Sequence, residues 1–288
     1  MKRVAIFDSA GYLGRQLTHF FRERGVETTG FDRPDCDVTD AAFWTSFDPA
    51  RYDAILFFAG LTGTERGFAE AETYLSINEG GLLRLLNRLA PLGAAAPKLV
   101  FPSTRLVYRG GDAALAEDAP KETKTVYAVN KLACEGYVAA YANRFGLRAA
   151  VCRICVPFGS LVPGEASYGT IGFFQKQVAA GQPISLFGGG LVRRTFTHVA
   201  DICRVVAFLA EEPVEGVYNI GGHARSLREV AEKIAANSPG GVRAVPWPRE
   251  AELLESGSTV FDSSKLDAAW LELRGEPLVY AGPDGECL

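Results

Sequence analysis

The stretch VAIFDSAGYLGRQLTHFFRERG (4–25) decides the fold. Val4 to Phe7 is an apolar run of strand length, and Gly11 and Gly14 fall in the turn that follows. Leu13, Leu17, Phe20 and Phe21 then recur at helical spacing, and Gly25 closes the helix. Working outward, Val26 to Phe31 reads as a second strand, DAILFFAG (53–60) as a third and KLVFPS (98–103) as a fourth. Tyr74 to Leu89 and YAVNKLACEGYVAAYANRFG (127–146) carry helical patterns, and LRAAVCRICV (147–156) is again a strand. Continuous apolar strands alternating with helices predict a parallel sheet covered on both faces, a doubly wound α/β architecture.

Past residue 157 the texture changes. PFGSLVPGEASYGTIGFF (157–174) is rich in Gly, Pro and aromatics and has little period. Helices are expected over 170–181, after His198 and over SLREVAEKIAAN (226–237), with short strands in PISLFGGG (183–190) and Val217 to Ile220. No final helix is read near the end of the chain. The expected organisation is a dinucleotide-binding domain over 1–156 and a mainly substrate-binding smaller lobe over 157–288, with some segments returning to the sheet.

Composition excludes several classes. At 288 residues, with 48% hydrophobic and 22% charged residues, the chain has material for a sizeable core and is not a disordered or fibrous sequence. A net charge of −4 gives no basic footprint for nucleic acid. No run approaches the ~18 apolar residues of a membrane span, and Asp8 interrupts the N-terminal apolar stretch before it reaches signal-peptide length. Six cysteines do not make a disulfide framework, and Cys152 and Cys155 lie in a strand pattern that points them to opposite faces. Three scattered histidines (His19, His198, His223) offer no zinc set. A cytoplasmic, reducing setting without a metal is the expectation.

The turn after the first strand fits a dinucleotide. Small residues at Gly11 and Gly14, flanking Tyr12 and Leu13, let backbone N–H groups approach a pyrophosphate at a helix N-terminus. Asp32, eighteen positions after Gly14, ends the next strand where an acid accepts hydrogen bonds from ribose hydroxyls and repels a 2′-phosphate. This favours NAD; Arg33 beside it keeps NADP open.

With these features the chain resembles the extended short-chain dehydrogenase/reductase superfamily, in particular its NAD-dependent epimerase/dehydratase members that modify nucleotide sugars. The family's G-x-x-G-x-x-G has Asp8 in place of its first glycine here, which bears on cofactor affinity more than on fold. CDVTD (36–40) resembles the acidic segment near the adenine, implying contacts from Asp37 and Val38. FFAG (57–60) matches the strand end that passes under the cofactor, implying Phe58, Ala59 and Gly60. Asn78 matches an asparagine on the helix behind the active site, and FPSTRLVYRG (101–110) the serine/threonine strand end, making Thr104 the catalytic hydroxyl and Ser103 its neighbour.

Tyr127 and Lys131 stand four apart on one helix face. A lysine ammonium near a phenol, beside a cationic nicotinamide, lowers the phenol pKa from ~10 towards neutrality and makes it a usable base. The resemblance therefore implies a catalytic set of Thr104, Tyr127 and Lys131. It also argues against one subclass. The 4,6-dehydratases carry an Asp-Glu pair directly after the catalytic threonine, where this chain has Arg105 and Leu106.

Towards the C-terminus, LFGGGLVRRTFTHVAD (186–201) resembles G-x-G…R-x-F-x-H-V-x-D, which implies Arg194 as the ligand of a substrate diphosphate. SYGTIGFF (167–174) and SLF (185–187) occupy base-wrapping positions, implying Thr170 and Phe187. The family's second phosphate-binding arginine is missing from ESGSTVFDSSKL (255–266), and Val156 replaces its substrate-contacting asparagine. The expected activity is an NAD-dependent nucleotide-sugar epimerase, acting at C4 through a transient 4-keto sugar, in a homodimer joined through the Tyr-Lys helix. The rivals are a reductase of 4-keto nucleotide sugars and a non-catalytic dinucleotide sensor.

Overall fold

A computed structural model of the chain describes residues 1–282. Along the first half the elements are β1 (Arg3–Phe7), α1 (Tyr12–Glu23), β2 (Glu27–Phe31), α2 (Ala41–Ser46), β3 (Ala54–Phe57), α3 (Arg66–Ala69), α4 (Ala71–Tyr74), α5 (Gly81–Leu89), β4 (Lys98–Thr104), α6 (Val126–Phe145) and β5 (Ala149–Ile154). Then come β6 (Val156–Phe158), α7 (Gly169–Ala179), β7 (Ile184–Phe187), β8 (Arg193–His198), α8 (Val199–Glu211), β9 (Gly216–Asn219) and β10 (His223–Ser226). The last are α9 (Leu227–Ala235), β11 (Val242–Val245), α10 (Arg249–Leu254) and α11 (Ser264–Arg274). Among the described residues no helix is long and apolar enough to cross a membrane.

The chain divides into two compact units. The first comprises Met1–Val107, Thr125–Arg153 and Cys203–Tyr218. It holds a six-stranded sheet in the order β2-β1-β3-β4-β5-β9, in which β1 runs parallel to β2 and β3, and β3 parallel to β4. The chain leaves β1 for β2 on one side and returns to β3 on the other. That reversal opens a crevice at the C-terminal strand ends, where open α/β sheets bind ligands. Strands β1 and β3 are apolar because both faces are covered; Val4 to Phe7 and Ala54 to Phe57 are wholly buried. One face packs on an aromatic cluster in which Phe7 stacks on Phe31 and Trp44, with Phe43, Phe47 and Tyr52 around them.

Helix α6 starts where the Thr125 side chain accepts from the Ala128 N–H, and stops at Gly146 in the left-handed conformation (φ 69°). The helix predicted over 74–89 forms, with a π turn over Leu75–Gly80 inside it.

The second unit comprises Tyr108–Lys124, Ile154–Ile202 and Asn219–Leu288. In it β8 runs antiparallel to β10 and parallel to β6, while β7 and β11 form a separate parallel pair. Its small core includes Phe174, Ile184, Leu186, Ala231 and Ala235. A reciprocal cap between Ser226 and Glu229 starts α9.

Two expectations are corrected. The single strand expected over 147–156 is two strands in different sheets, β5 and β6. Pro157, which has no N–H to donate, marks the piece that cannot continue a central ladder. A final helix does exist: α11 buries Leu266 and Trp270, a stripe of two residues too thin to stand out in the sequence.

Candidate active site

A cleft of about 620 Å³ opens at the C-terminal ends of β1, β2 and β3, within the size range of small-ligand sites. Asp8, Asp32, Asp37, Val38, Ala59 and Gly60 are among its lining residues. Backbone packing explains why the turn is small. A Cβ at Gly14 would stand 1.8 Å from the Asp8 carbonyl oxygen, and one at Gly30 2.2 Å from the Ser9 hydroxyl. Gly11 is the N-cap of α1, and Tyr12 and Leu13 form its first turn, so their N–H groups face the end where an anion is favoured.

The Asp32 carboxylate accepts hydrogen bonds from the Ser9 hydroxyl and, at 2.9 Å, from the Ala10 N–H. Each oxygen keeps a further lone pair for a ribose hydroxyl. Asp37 accepts from the N–H and hydroxyl of Thr39, which hold its carboxyl below the usual range. These residues fit NAD: a glycine turn for the pyrophosphate, a carboxylate for the ribose and an apolar wall.

Thr104 ends β4 and is buried, its hydroxyl oxygen accepting from the Leu106 N–H at 3.3 Å. Tyr127 and Lys131 lie in the first two turns of α6. The Lys131 ammonium is buried, donates to the Pro102 carbonyl at 2.8 Å, and sits 4.4 Å from the Phe101 ring centroid and 5.9 Å from that of Tyr127. Burial pushes Lys131 down to about 8.

Residues 9–221 match the NAD dependent epimerase/dehydratase family. The chain belongs to that family. Its members are NAD-dependent enzymes of the short-chain dehydrogenase type acting on nucleotide sugars.

The chain is 30% identical over 252 residues to a dTDP-glucose 4,6-dehydratase of Streptomyces niveus, covering 85% of this chain and 72% of that one. It is 31% identical over 191 residues to the mouse dTDP-D-glucose 4,6-dehydratase and 30% over 189 to a UDP-glucuronate 4-epimerase of Thermodesulfobacterium geofontis. Those two matches cover 64% and 65% of this chain but only 52% and 57% of the relatives. The Thermus thermophilus UDP-glucose 4-epimerase, solved with NAD, shares the fold at a TM-score of 0.80 and 24% identity, covering 93% of this chain and 92% of that one.

Other residues singled out in this family member make contacts within the first unit. Ser103 donates to Glu135, which also takes a two-point ion pair from Arg153 at 2.9 and 2.5 Å. Asn78 clamps the loop after β3, accepting from the Leu61 N–H at 2.7 Å and donating to the Leu61 carbonyl at 3.1 Å. Phe58 is buried.

In the second unit, the Arg194 guanidinium is only 2% exposed and donates to the carbonyls of Arg193 and Gly257 and to Glu255 at 2.6 Å, so a substrate diphosphate would have to compete with Glu255 for it. Thr170 is half-buried at the start of α7. Phe187 is 42% exposed at the end of β7, its ring centroid 5.3 Å from that of Trp247.

Sequence reasoning missed Glu135 and Glu79. Glu135 lies four residues after Lys131, a helical spacing that marks it for the same face. Glu79 lies buried in the π turn and accepts from Asn130 at 2.6 Å and Tyr137 at 3.0 Å, a contact no local pattern announces.

Proposed function

We propose that this protein is an NAD-dependent nucleotide-sugar epimerase acting at C4 through a transient 4-keto sugar. The observation that carries the reading is the buried Lys131 ammonium 5.9 Å from the Tyr127 ring centroid on α6, with Thr104 ending β4, the strand whose Pro102 carbonyl accepts from Lys131. Tyr127 takes the proton of the C4 hydroxyl, and the Thr104 hydroxyl donates to the same oxygen and steadies its charge. Lys131 holds positive charge beside the phenol and favours its ionised form. NAD supplies a hydride acceptor that can give the hydride back. The Gly11–Gly14 turn, Asp32, Asp37, Val38, Ala59, Gly60 and Lys131 would hold it.

Arg105 and Leu106 supply neither the acid nor the base a 4,6-elimination needs, which separates this reading from the dehydratase relatives. The alternative of a 4-keto sugar reductase gains support from one observation. An acid at Asp8, beside the pyrophosphate turn, loosens the grip on a cofactor that an epimerase must retain. Residence in the cytoplasm is part of the proposal, supported by a cysteine content too low for a disulfide framework.

The test is Tyr127→Phe. Turnover of the true substrate should fall by about 10² to 10⁴, the usual worth of general acid–base catalysis. NAD binding should persist. Near-wild-type turnover would remove Tyr127 as the base and the mechanism with it.

A further inference from the structure

Asp8 follows β1 in the left-handed region (φ 66°), which non-glycine residues seldom adopt. Its N–H donates to the Phe31 carbonyl at 2.9 Å, and its carbonyl accepts from the Gly11 N–H at 3.0 Å. Its carboxylate lies against Gly11, where a Cβ would stand 2.0 Å from one oxygen and 2.9 Å from the other. The side chain therefore stands at the N-terminus of α1, where backbone N–H groups and the helix dipole favour one anion. It also lines the cleft together with Asp32. The charged groups that face it are Asp32 at the end of β2, Arg15 on α1 and Lys131 on α6.

A cofactor pyrophosphate drawn to the same helix end meets a carboxylate already there, with a second carboxylate nearby. Like charges crowded into a partly dry site do not all stay ionised. We propose that this chain binds NAD together with a proton, the proton going to the Asp8 carboxylate, so that cofactor affinity falls as pH rises. Burial and Asp32 already push Asp8 up to about 6 in the free protein, against the opposing pull of Arg15 and Lys131. An arriving pyrophosphate adds further negative charge and pushes in the same direction. The only covalent change is one O–H bond, its proton drawn from water or buffer. The inference rests on the NAD-binding reading and makes retention of the cofactor depend on pH.

The test is calorimetric titration of NAD into the full chain, without sugar, from pH 5.5 to 8.5 in buffers of different ionisation enthalpy. The dissociation constant should rise by up to about tenfold per pH unit above ~7, with proton uptake approaching about one per NAD near pH 7.5. Asp8→Asn and Asp8→Gly, checked for folding by thermal unfolding, should bind at least ~10-fold more tightly than wild type at pH 8 and with little pH dependence. Flat wild-type affinity without proton uptake would overturn this inference and leave the NAD reading standing. So would a pH dependence that survives in Asp8→Asn, since it would belong to Lys131 or another group. Failure of wild type and Asp8→Gly to bind NAD at any pH would overturn both.

Discussion

At Asp8 the same charge that bears on the cofactor bears on folding. The carboxyl is raised from 3.8 to about 6, chiefly by burial, so the folded chain binds the proton more tightly than the unfolded one. Stability on that account falls as pH rises between about 4 and 6, and the full penalty remains above 6. Asp8→Asn should raise the thermal midpoint at pH 7.5, and the gain should vanish below about pH 4 in paired melts. Lys131 runs the other way. Its buried ammonium is lowered from 10.5 to about 8, so its penalty is present below 8 and relieved as pH rises towards 10.5. The residues of this site were legible to unequal degrees. Tyr127, Lys131 and Asp32 could be singled out by spacing on recognisable elements, and Thr104 by its resemblance to a family motif. The partner of Arg194 could not be read, because a motif marks a position but not the contact made there, here Glu255 from a distant stretch of chain.

Among the elements, α6 carries the most chemistry and is pinned hardest. Glu135, one turn beyond Lys131, takes a buried two-point ion pair from Arg153 on β5 and a hydrogen bond from Ser103 on β4. Removing one partner strands the other charge inside. Glu135→Ala should therefore cost about 3–5 kcal/mol in urea unfolding, whereas replacing Glu135 and Arg153 together by Leu and Met should cost far less. A double-variant loss equal to the sum of the two single-variant losses would mean the pair is not coupled. Strands β1, β3 and β4 and helices α1 and α5 could be read because each carries an apolar run or period, whereas the six residues of α2 are too few to show one. The division between β5 and β6 could not, because LRAAVCRICV carries an unbroken strand pattern, apolar but for Arg148 and Arg153, and only long-range pairing ends the first strand.

On the scale of the whole molecule, one face of α6 bears on assembly. Val129 is 48% exposed, and Gly136 and Ala140 are exposed along the same face, beside half-buried Leu132 and Tyr137. A seam of this kind supports a homodimer. Sedimentation should find a dimer at micromolar concentration, and Val129→Glu should shift it to monomer. A wild-type monomer would remove the dimer from the account. The central claim is that a hydride leaves C4 of a nucleotide sugar and returns to the same carbon. It is tested most directly with UDP-glucose, UDP-N-acetylglucosamine, UDP-glucuronate and dTDP-glucose deuterated at C4, each incubated with the protein and trace NAD. The account predicts that a C4 epimer forms from one of them, that it keeps its deuterium at C4, and that no net NADH accumulates. A 4-keto-6-deoxy product, or sugar chemistry only when NADH is consumed one for one on a 4-keto substrate, would contradict it.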